Sequence, residues 1–187
     1  MPRRSLQDKA RTHEQIVDIA AARIRQDGTE APGVADIMQA AGLTHGGFYK
    51  HFDSRDDLIA EAVERTFAES QEATEAVIAG AEDPLRAFVD WYVSADHRDN
   101  PGSGCGVVAL GADASRSDPR VRAAYTDQVK RYLAQLEQLL GDDAQAAVAL
   151  STLVGAVLVS RAVDDPALSD EILADVREAL VRTRAAG

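Results

Sequence analysis

The chain has 187 residues, of which 45% are hydrophobic and only 5% aromatic, and its formal net charge at pH 7 is −11. This length fits one compact domain, or a small module joined to a larger body, with enough apolar residues for a buried core. A single cysteine excludes an intrachain disulfide framework and a multi-cysteine zinc site. No catalytic triad, phosphate-binding loop or metal-ligand spacing of histidines is found, so we expect no enzyme activity, cofactor or metal.

Charge is distributed unevenly along the chain. Residues 1–55 carry eight Lys or Arg and seven Asp or Glu, a net charge of +1, whereas residues 56–187 carry −12. An acidic body repels phosphate groups and leaves the N-terminal end able to approach a polyanion, although the same charge also keeps a protein soluble. The N-terminus lacks an apolar stretch, and no unbroken apolar run reaches about 18 residues. We therefore expect a cytoplasmic protein with no membrane partner.

Apolar residues recur at helical spacing over nearly the whole chain, and no strand-like alternation is found. Glycines, prolines and Asp-Pro pairs divide the pattern into about nine helices. We expect them at 9–26, 34–41, 44–51, from 53 or 54 to about 79, from 84, around 105–115, at 119–140, at 144–163 and after 166. A loop is predicted at 98–104. The fold class is therefore all-α.

The second and third helices are both short and are separated by a tight turn at Gly42. This is the geometry of a helix-turn-helix, in which the first helix lies against the DNA backbone and the second reaches the major groove. We expect Thr44 to cap the second helix, while Phe48 and Phe52 hold it against the core. The other polar side chains of this stretch can contact base edges or phosphates. They are His45, Tyr49, Lys50, His51 and, at the next helix, Arg55.

The pair Gly46-Gly47 is unusual inside a helix, where each glycine costs about 1 kcal/mol relative to alanine. Two interpretations remain open. Without side chains the helix backbone can lie closer to the DNA groove, or the pair forms a flexible turn without function.

The stretch from Gly42 to Arg55 resembles the signature of the TetR/AcrR family of one-component regulators. The shared features are the Gly-hydrophobe-Thr start, the pair of small residues, the sequence Phe-Tyr-Lys-His-Phe and the polar cap followed by Arg55. The resemblance is specific over roughly residues 12–63 and only architectural beyond them. It implies DNA contacts at Thr44, His45, Gly46, Gly47, Tyr49, Lys50, His51 and Arg55.

One position departs from the family pattern. In the family, the first helix of the helix-turn-helix, called here the bracing helix, commonly begins with Thr or Ser. This chain has Gly33 at that position, so a cap and a phosphate contact are expected to be missing. Arg3, Arg4 and Lys9 could supply charge from an N-terminal arm, or they belong to a disordered tail.

The resemblance implies a DNA-binding domain at 1–55 and a regulatory and dimerisation domain at 56–187. A homodimer is expected, because a single DNA-binding domain, called here a reading head, buries little surface against DNA and binds it weakly. The helix at 144–163 is apolar nearly all round and, with the last helix, is our candidate for the dimer interface. Burial inside the monomer remains the alternative.

Residues that combine apolar bulk with a polar tip are candidates for a ligand pocket. They are Phe88, Trp91, Tyr92, Cys105 and Tyr125, which could equally be core residues. Such a pocket would suit a small, fairly apolar compound. Cys105 lies at a predicted helix start, where a thiol pKa is lowered, so the residue is either a redox or electrophile sensor or a small buried hydrophobe.

The sequence thus predicts a ligand-responsive regulator, a repressor that binds a palindromic double-stranded DNA operator as a dimer and is released by a small molecule. Three alternatives remain open: a thiol-based sensor acting through Cys105, an activator, and a helical small-molecule-binding protein with a vestigial DNA-binding head.

Overall fold

The computed structural model describes residues 2–30, 33–141 and 143–183, and within these ranges it contains nine α-helices and no strand. The α-helices are α1 (Pro2–Asp27), α2 (Val34–Ala40), α3 (Arg55–Ile78), α4 (Pro84–Tyr92), α5 (Ala95–Asp99), α6 (Gly106–Ala114), α7 (Pro119–Leu140), α8 (Asp143–Ala162) and α9 (Pro166–Thr183). Two 3₁₀ segments, His45–Lys50 and Pro101–Ser103, complete the helical structure. The all-α prediction is confirmed.

Helix starts follow the capping residues. Asp118 accepts hydrogen bonds from the backbone amides of Arg120 (2.7 Å) and Val121 (3.1 Å) at the start of α7. Of the two candidates at the start of α3, Ser54 is the cap, since its hydroxyl accepts from the amide of Asp57 at 3.1 Å. These bonds satisfy amides that have no partner inside the helix.

Two predicted boundaries are wrong. α1 begins at Pro2 rather than at Lys9, so the backbone of the basic N-terminal residues is helical. The predicted loop at 98–104 contains the end of α5 and a 3₁₀ segment. α5 forms because the Ser94 hydroxyl accepts a hydrogen bond from the amide of His97 at 3.1 Å, a cap that the sequence analysis overlooked.

A single apolar core runs through the described residues. Helices α1 and α3 pack along each other, and the buried residues of α3 extend from Leu58 to Thr74. Because α3 starts at Arg55 and continues into the C-terminal body, the predicted domain boundary between 55 and 56 falls at the start of a shared helix.

Helix α6 lies unusually close to α3. A Cβ atom placed on Gly106 would lie 2.5 Å from the Thr66 methyl carbon and 3.0 Å from the Phe67 ring. Only glycine therefore permits this approach.

The α8 helix is buried on one face only. Leu153 and Val157 are fully buried, whereas Val148, Leu158 and Val159 are 66%, 55% and 47% exposed. Its stretch Gln145–Ala162 is long and apolar enough to cross a membrane by length and composition, with a mean hydropathy of 1.5, although 39% of it is buried in the fold. Polar residues interrupt this stretch at Ser151, Thr152, Ser160 and Arg161, so the sequence contains no unbroken apolar run of that length.

Candidate nucleic-acid interface

The turn between α2 and the next segment depends on Gly42. Its φ of +73° lies in the left-handed region that favours glycine. The amide of Gly42 donates to the carbonyl of Gln39 (3.0 Å), and the amide of Leu43 donates to that of Met38 (2.8 Å). This pair of bonds closes α2 with the Schellman arrangement and places the next segment at a fixed angle.

The stretch His45–Lys50, called here the reading segment, lies where the second helix of the motif was predicted but is a 3₁₀ helix. Two consecutive glycines weaken the preference for the α-helix, which is consistent with the tighter form. Thr44 occupies the cap position, but its side chain makes no capping hydrogen bond, so that prediction is wrong.

Two aromatic residues anchor the reading segment to the core. Phe48 and Phe52 are 2% and 3% exposed, and their rings stack with centroids 5.4 Å apart. His13 of α1 stacks on Phe52 at 4.5 Å, and its Nε2 donates a hydrogen bond to the Glu61 carboxylate at 2.7 Å. The orientation of the segment is therefore fixed from α1 and α3.

The opposite face of the reading segment is open to solvent. Thr44, His45 and Lys50 are exposed, and the Tyr49 side chain is 71% exposed. A Cβ on Gly46 would meet no atom within 4 Å, and one on Gly47 would meet only ordinary contacts, the nearest at 3.6 Å. Packing inside the molecule therefore requires neither glycine, which favours the interpretation that they allow close approach to DNA.

His51 and Arg55 lie behind this exposed face. His51 is half-buried and its Nδ1 makes no hydrogen bond to the described residues. Burial, followed by the neighbouring His13 and two lysines, lowers the pKa of His51, so its imidazole tends to stay neutral. Arg55 donates through Nη2 to the carbonyls of Thr29 (2.7 Å) and Glu30 (3.1 Å), which leaves its other guanidinium donors for a phosphate.

The bracing helix α2 begins without a side-chain cap, as the sequence predicted. Gly33 is its N-cap with an extended backbone and no side-chain hydrogen bond, and Asp36 lies in the first turn of α2. An acid there favours the helix N-terminus but repels a phosphate.

Four of the five residues predicted for a ligand pocket lie next to one another: Phe88, Trp91, Tyr92 and Cys105. The Tyr92 ring centroid lies 5.7 Å from that of Phe88 and 6.0 Å from that of Trp91. Phe88 and Tyr92 are fully buried, and each packs against Tyr132 with ring centroids 6.4 Å apart. Trp91 stacks on His97 at 5.4 Å, whereas Tyr125 contacts Phe67 at 6.0 Å on another side.

Cys105 is the N-cap of α6 and is 1% exposed. Its sulfur accepts a hydrogen bond from the Tyr92 hydroxyl (3.2 Å) and donates to that of Tyr132 (3.4 Å). Its amide donates to Nε2 of His97 at 2.8 Å, so that ring nitrogen carries no proton and Nδ1 donates to the Tyr92 carbonyl at 2.6 Å. Burial lowers the pKa of His97 and keeps this arrangement neutral.

Two contacts that sequence reasoning missed join the N-terminal helices to the body. Asp113 in the last turn of α6 accepts a hydrogen bond from the amide of Thr29 at 2.8 Å. Arg25 donates to the Gly102 carbonyl and to Glu69, both at 2.6 Å. Arg25 is 8% exposed, so one charge of the N-terminal basic excess is used inside the molecule.

An all-helical chain with a helix-turn-helix whose second element exposes polar side chains belongs to the class of DNA-binding transcriptional regulators. The described residues contain no group of three or more His, Cys, Asp or Glu placed to hold a metal ion.

Comparison with known proteins defines the family. The model of the bacterial regulatory proteins of the tetR family matches residues 16–62. An uncharacterized HTH-type transcriptional regulator of Mycobacterium tuberculosis is 31% identical over 169 residues, which cover 79% of this chain and 83% of that protein. The regulator AcrR of Shigella flexneri is 34% identical over 61 residues, which cover 33% of this chain and only 28% of AcrR. The chain therefore belongs to the TetR family and is a transcriptional regulator rather than an enzyme.

Solved structures show the same fold. The crystal structure of a TetR transcriptional regulator from Chloroflexus aurantiacus aligns with a TM-score of 0.81 at 22% identity, covering 94% of this chain and 96% of that one. The C-terminal body, where the sequence resemblance was only architectural, thus has the helical arrangement of known regulators.

Proposed function

We propose that the protein is a ligand-responsive repressor that binds a palindromic DNA operator as a homodimer in the cytoplasm. The observation that carries this proposal is the reading segment, which presents Tyr49 and Lys50 to solvent beside the unobstructed backbone of Gly46 and Gly47. Exposed donors that surround a bare backbone suit close approach to a phosphate-lined groove. Thr44 and His45 flank this surface.

The homodimer is supported by an apolar surface on α8 and α9. Val148, Leu158 and Val159 on α8 and Leu168 on α9 are at least 43% exposed, although each is a large apolar residue. Exposed apolar residues grouped on neighbouring helices indicate an interaction surface. A second copy seated there would give the dimer two helix-turn-helix units, and a palindromic operator with half-sites roughly 34–36 Å apart requires two.

Ligand response is proposed because a compound that binds the body can favour one spacing of the two heads over another. Only a ligand with different affinities for the two arrangements changes operator binding. The contacts of Asp113 with Thr29 and of Arg25 with Gly102 connect the body to the heads.

DNA binding is tested by fluorescence anisotropy, at several salt concentrations, with the DNA that lies upstream of the gene for this protein. We expect Lys50→Ala to weaken binding and to reduce the salt slope by about one unit, because a lysine on a phosphate releases about one counterion. Lys130→Ala on α7 is the matched control, since that exposed lysine pairs with Asp127 at 3.5 Å in the body. Equal effects of both variants contradict the assigned surface.

Absence of any binding at low salt contradicts the whole proposal and favours a helical small-molecule-binding protein. A reporter driven by the bound promoter separates a repressor from an activator, since loss of a repressor raises transcription.

The second candidate is a thiol-based sensor acting through Cys105. Its position at the start of α6 supports this, because a helix N-terminus stabilises a thiolate. Its 1% exposure opposes it. The test compares the rate of maleimide alkylation of folded and urea-unfolded protein: similar rates support the sensor, whereas strong protection in the folded protein contradicts it.

A further inference from the structure

The turn after α1, at residues 28–30, is held from two sides. On one side, Asp113 of α6 accepts hydrogen bonds from the Thr29 amide at 2.8 Å and from its hydroxyl at 3.4 Å. On the other side, Arg55 of α3 donates to the carbonyls of Thr29 and Glu30 at 2.7 and 3.1 Å. Thr29 is only 5% exposed. The buried turn therefore connects a carboxylate of the body to an arginine of the candidate DNA surface.

The two carbonyls fix the orientation of Arg55. Both bonds come from Nη2, and the guanidinium is rigid and planar, so its other donors point in set directions. Nε and Nη1 make no hydrogen bond to the described residues, and Arg55 forms no ion pair with them. A half-buried, oriented arginine with unused donors suits a DNA phosphate.

Asp113 belongs to a helix that starts in the core of the body. The nine residues of α6 span roughly 14 Å, from the buried cap Cys105 to the last turn that carries Asp113. One carboxylate oxygen of Asp113 pairs with the exposed Arg116 at 3.2 Å, and the other accepts from Thr29. A displacement of α6 inside the body therefore moves the acceptor of the Thr29 amide.

We propose that Asp113 is a positioning residue for operator binding. It holds the turn at 28–30, and the carbonyls of this turn orient the Arg55 guanidinium toward a DNA phosphate. The end of α6 is thereby a control point of operator affinity. The inference rests on the proposed function, since it assumes that Arg55 contacts DNA, and it names how the body regulates that contact.

The sign of the expected effect separates positioning from charge. Asp113 is an acid, and an acid close to DNA repels its phosphates, so loss of the charge alone should strengthen binding. Loss of positioning should weaken binding, because a released arginine must be ordered again when it meets the phosphate. Weaker binding by Asp113→Ala is therefore the result expected for a positioning residue.

The test is a double-mutant cycle on the full-length protein, by fluorescence anisotropy with the duplex that lies upstream of its gene. Asp113→Ala should weaken binding at least about threefold in the wild-type background. In the Arg55→Ala background the same change should alter affinity by less than about twofold, because the group that Asp113 positions is gone.

Lys50 provides the matched control cycle. It is exposed on the reading segment and makes no hydrogen bond to the turn at 28–30. In the Lys50→Ala background, Asp113→Ala should therefore weaken binding by the same factor as in the wild type. A general loss of the head's structure would instead reduce the effect in both backgrounds.

A conservative variant isolates the hydrogen bond. Asp113→Asn and Asp113→Ala both remove the charge, but only asparagine keeps an oxygen that accepts from the Thr29 amide. Asp113→Asn should bind the duplex at least as tightly as the wild type, to within about twofold. Circular dichroism at the assay temperature verifies that each variant is folded.

The proposal is overturned if Asp113→Ala weakens binding equally with and without Arg55, or if Asp113→Asn binds as weakly as Asp113→Ala. It is also overturned if removal of Lys50 abolishes the effect as removal of Arg55 does. If the wild type binds no duplex at low salt, the proposed function and this inference fail together. Binding with independent effects of Asp113 and Arg55 overturns the inference alone.

Discussion

His97 is held by two backbone groups, the amide of Cys105 and the carbonyl of Tyr92, and both bonds require a neutral ring with its proton on Nδ1. Protonation would place a second proton on Nε2, facing an amide that can only donate. The side chain is 5% exposed, and the Arg161 guanidinium also opposes a positive charge there.

This arrangement predicts a dependence of stability on pH. Since burial lowers the pKa of His97 from 6.5 in the folded state, the unfolded chain binds the proton more readily, and stability falls as the pH drops below about 6.5. When the pH falls from 7.5 to 5.5, the free energy of unfolding of the wild type should decrease by up to about 1.4 kcal/mol more than that of His97→Gln. Urea titration at the two pH values measures this difference. His45→Gln, which removes an exposed imidazole, is the control. A parallel loss in His97→Gln and the wild type would contradict this role.

Gly46 permits a second prediction at the scale of one residue. Gly46→Ala meets no atom within 4 Å and should leave the fold intact, raising its stability by roughly 0.4–1 kcal/mol. Operator affinity should nevertheless fall, on the order of tenfold, because the methyl group holds the backbone away from the groove. Thermal denaturation and anisotropy measure the two effects. Unchanged affinity would favour the interpretation of the glycine pair as a turn without function.

At the scale of secondary-structure elements, α8 and α9 carry the proposed dimer interface. Leu158→Glu places a charge at the exposed apolar surface and should convert the dimer to a monomer in sedimentation velocity, because burying an unpaired carboxylate is costly. The folded monomer should keep its helical circular dichroism but bind the palindrome more weakly. Ala134→Glu, at an exposed position of α7, should leave the mass unchanged. A dimeric Leu158→Glu would place the interface elsewhere.

The element scale also shows what the sequence could predict. The starts of α4 and α7 were found because an Asp-Pro pair is a local signal read within a few residues. The start of α5 was missed because Ser94 follows directly on the apolar stripe of α4 and resembles its continuation. The reading segment was placed correctly, but spacing alone did not distinguish a 3₁₀ from an α-helix over six residues.

The contacts that position the site were beyond local patterns. Thr29 and Asp113 lie 84 positions apart, and each is unremarkable in its own surroundings. In the sequence, Arg25 resembles the other basic residues of α1. It is buried only because Glu69 of α3 and the Gly102 carbonyl, which precedes α6, pack against it.

At the scale of the whole molecule, the hydrogen bond between Asp113 and Thr29 joins the turn after α1 to the C-terminal body. Asp113→Ala leaves the buried amide of Thr29 without its partner and should cost about 1–3 kcal/mol of stability. Operator affinity should fall as well, because the turn that connects α1 to α2 loses its attachment. Glu137→Ala, which removes an exposed carboxylate, is the control. Unchanged melting temperature and operator affinity in Asp113→Ala would contradict this role, because they would mean that other contacts hold the turn in place.

The same bond limits how this protein can be re-engineered. A chimera that joins residues 1–55 to another sensor body would leave behind the carboxylate that holds Thr29 and the part of α3 that covers α1. Under the proposed function, such a hybrid should bind the operator more weakly and respond poorly to its new inducer, because the turn after α1 would lose its attachment to the body. A transplant should therefore extend through the first turns of α3 and provide an acidic residue at the end of the recipient's sixth helix.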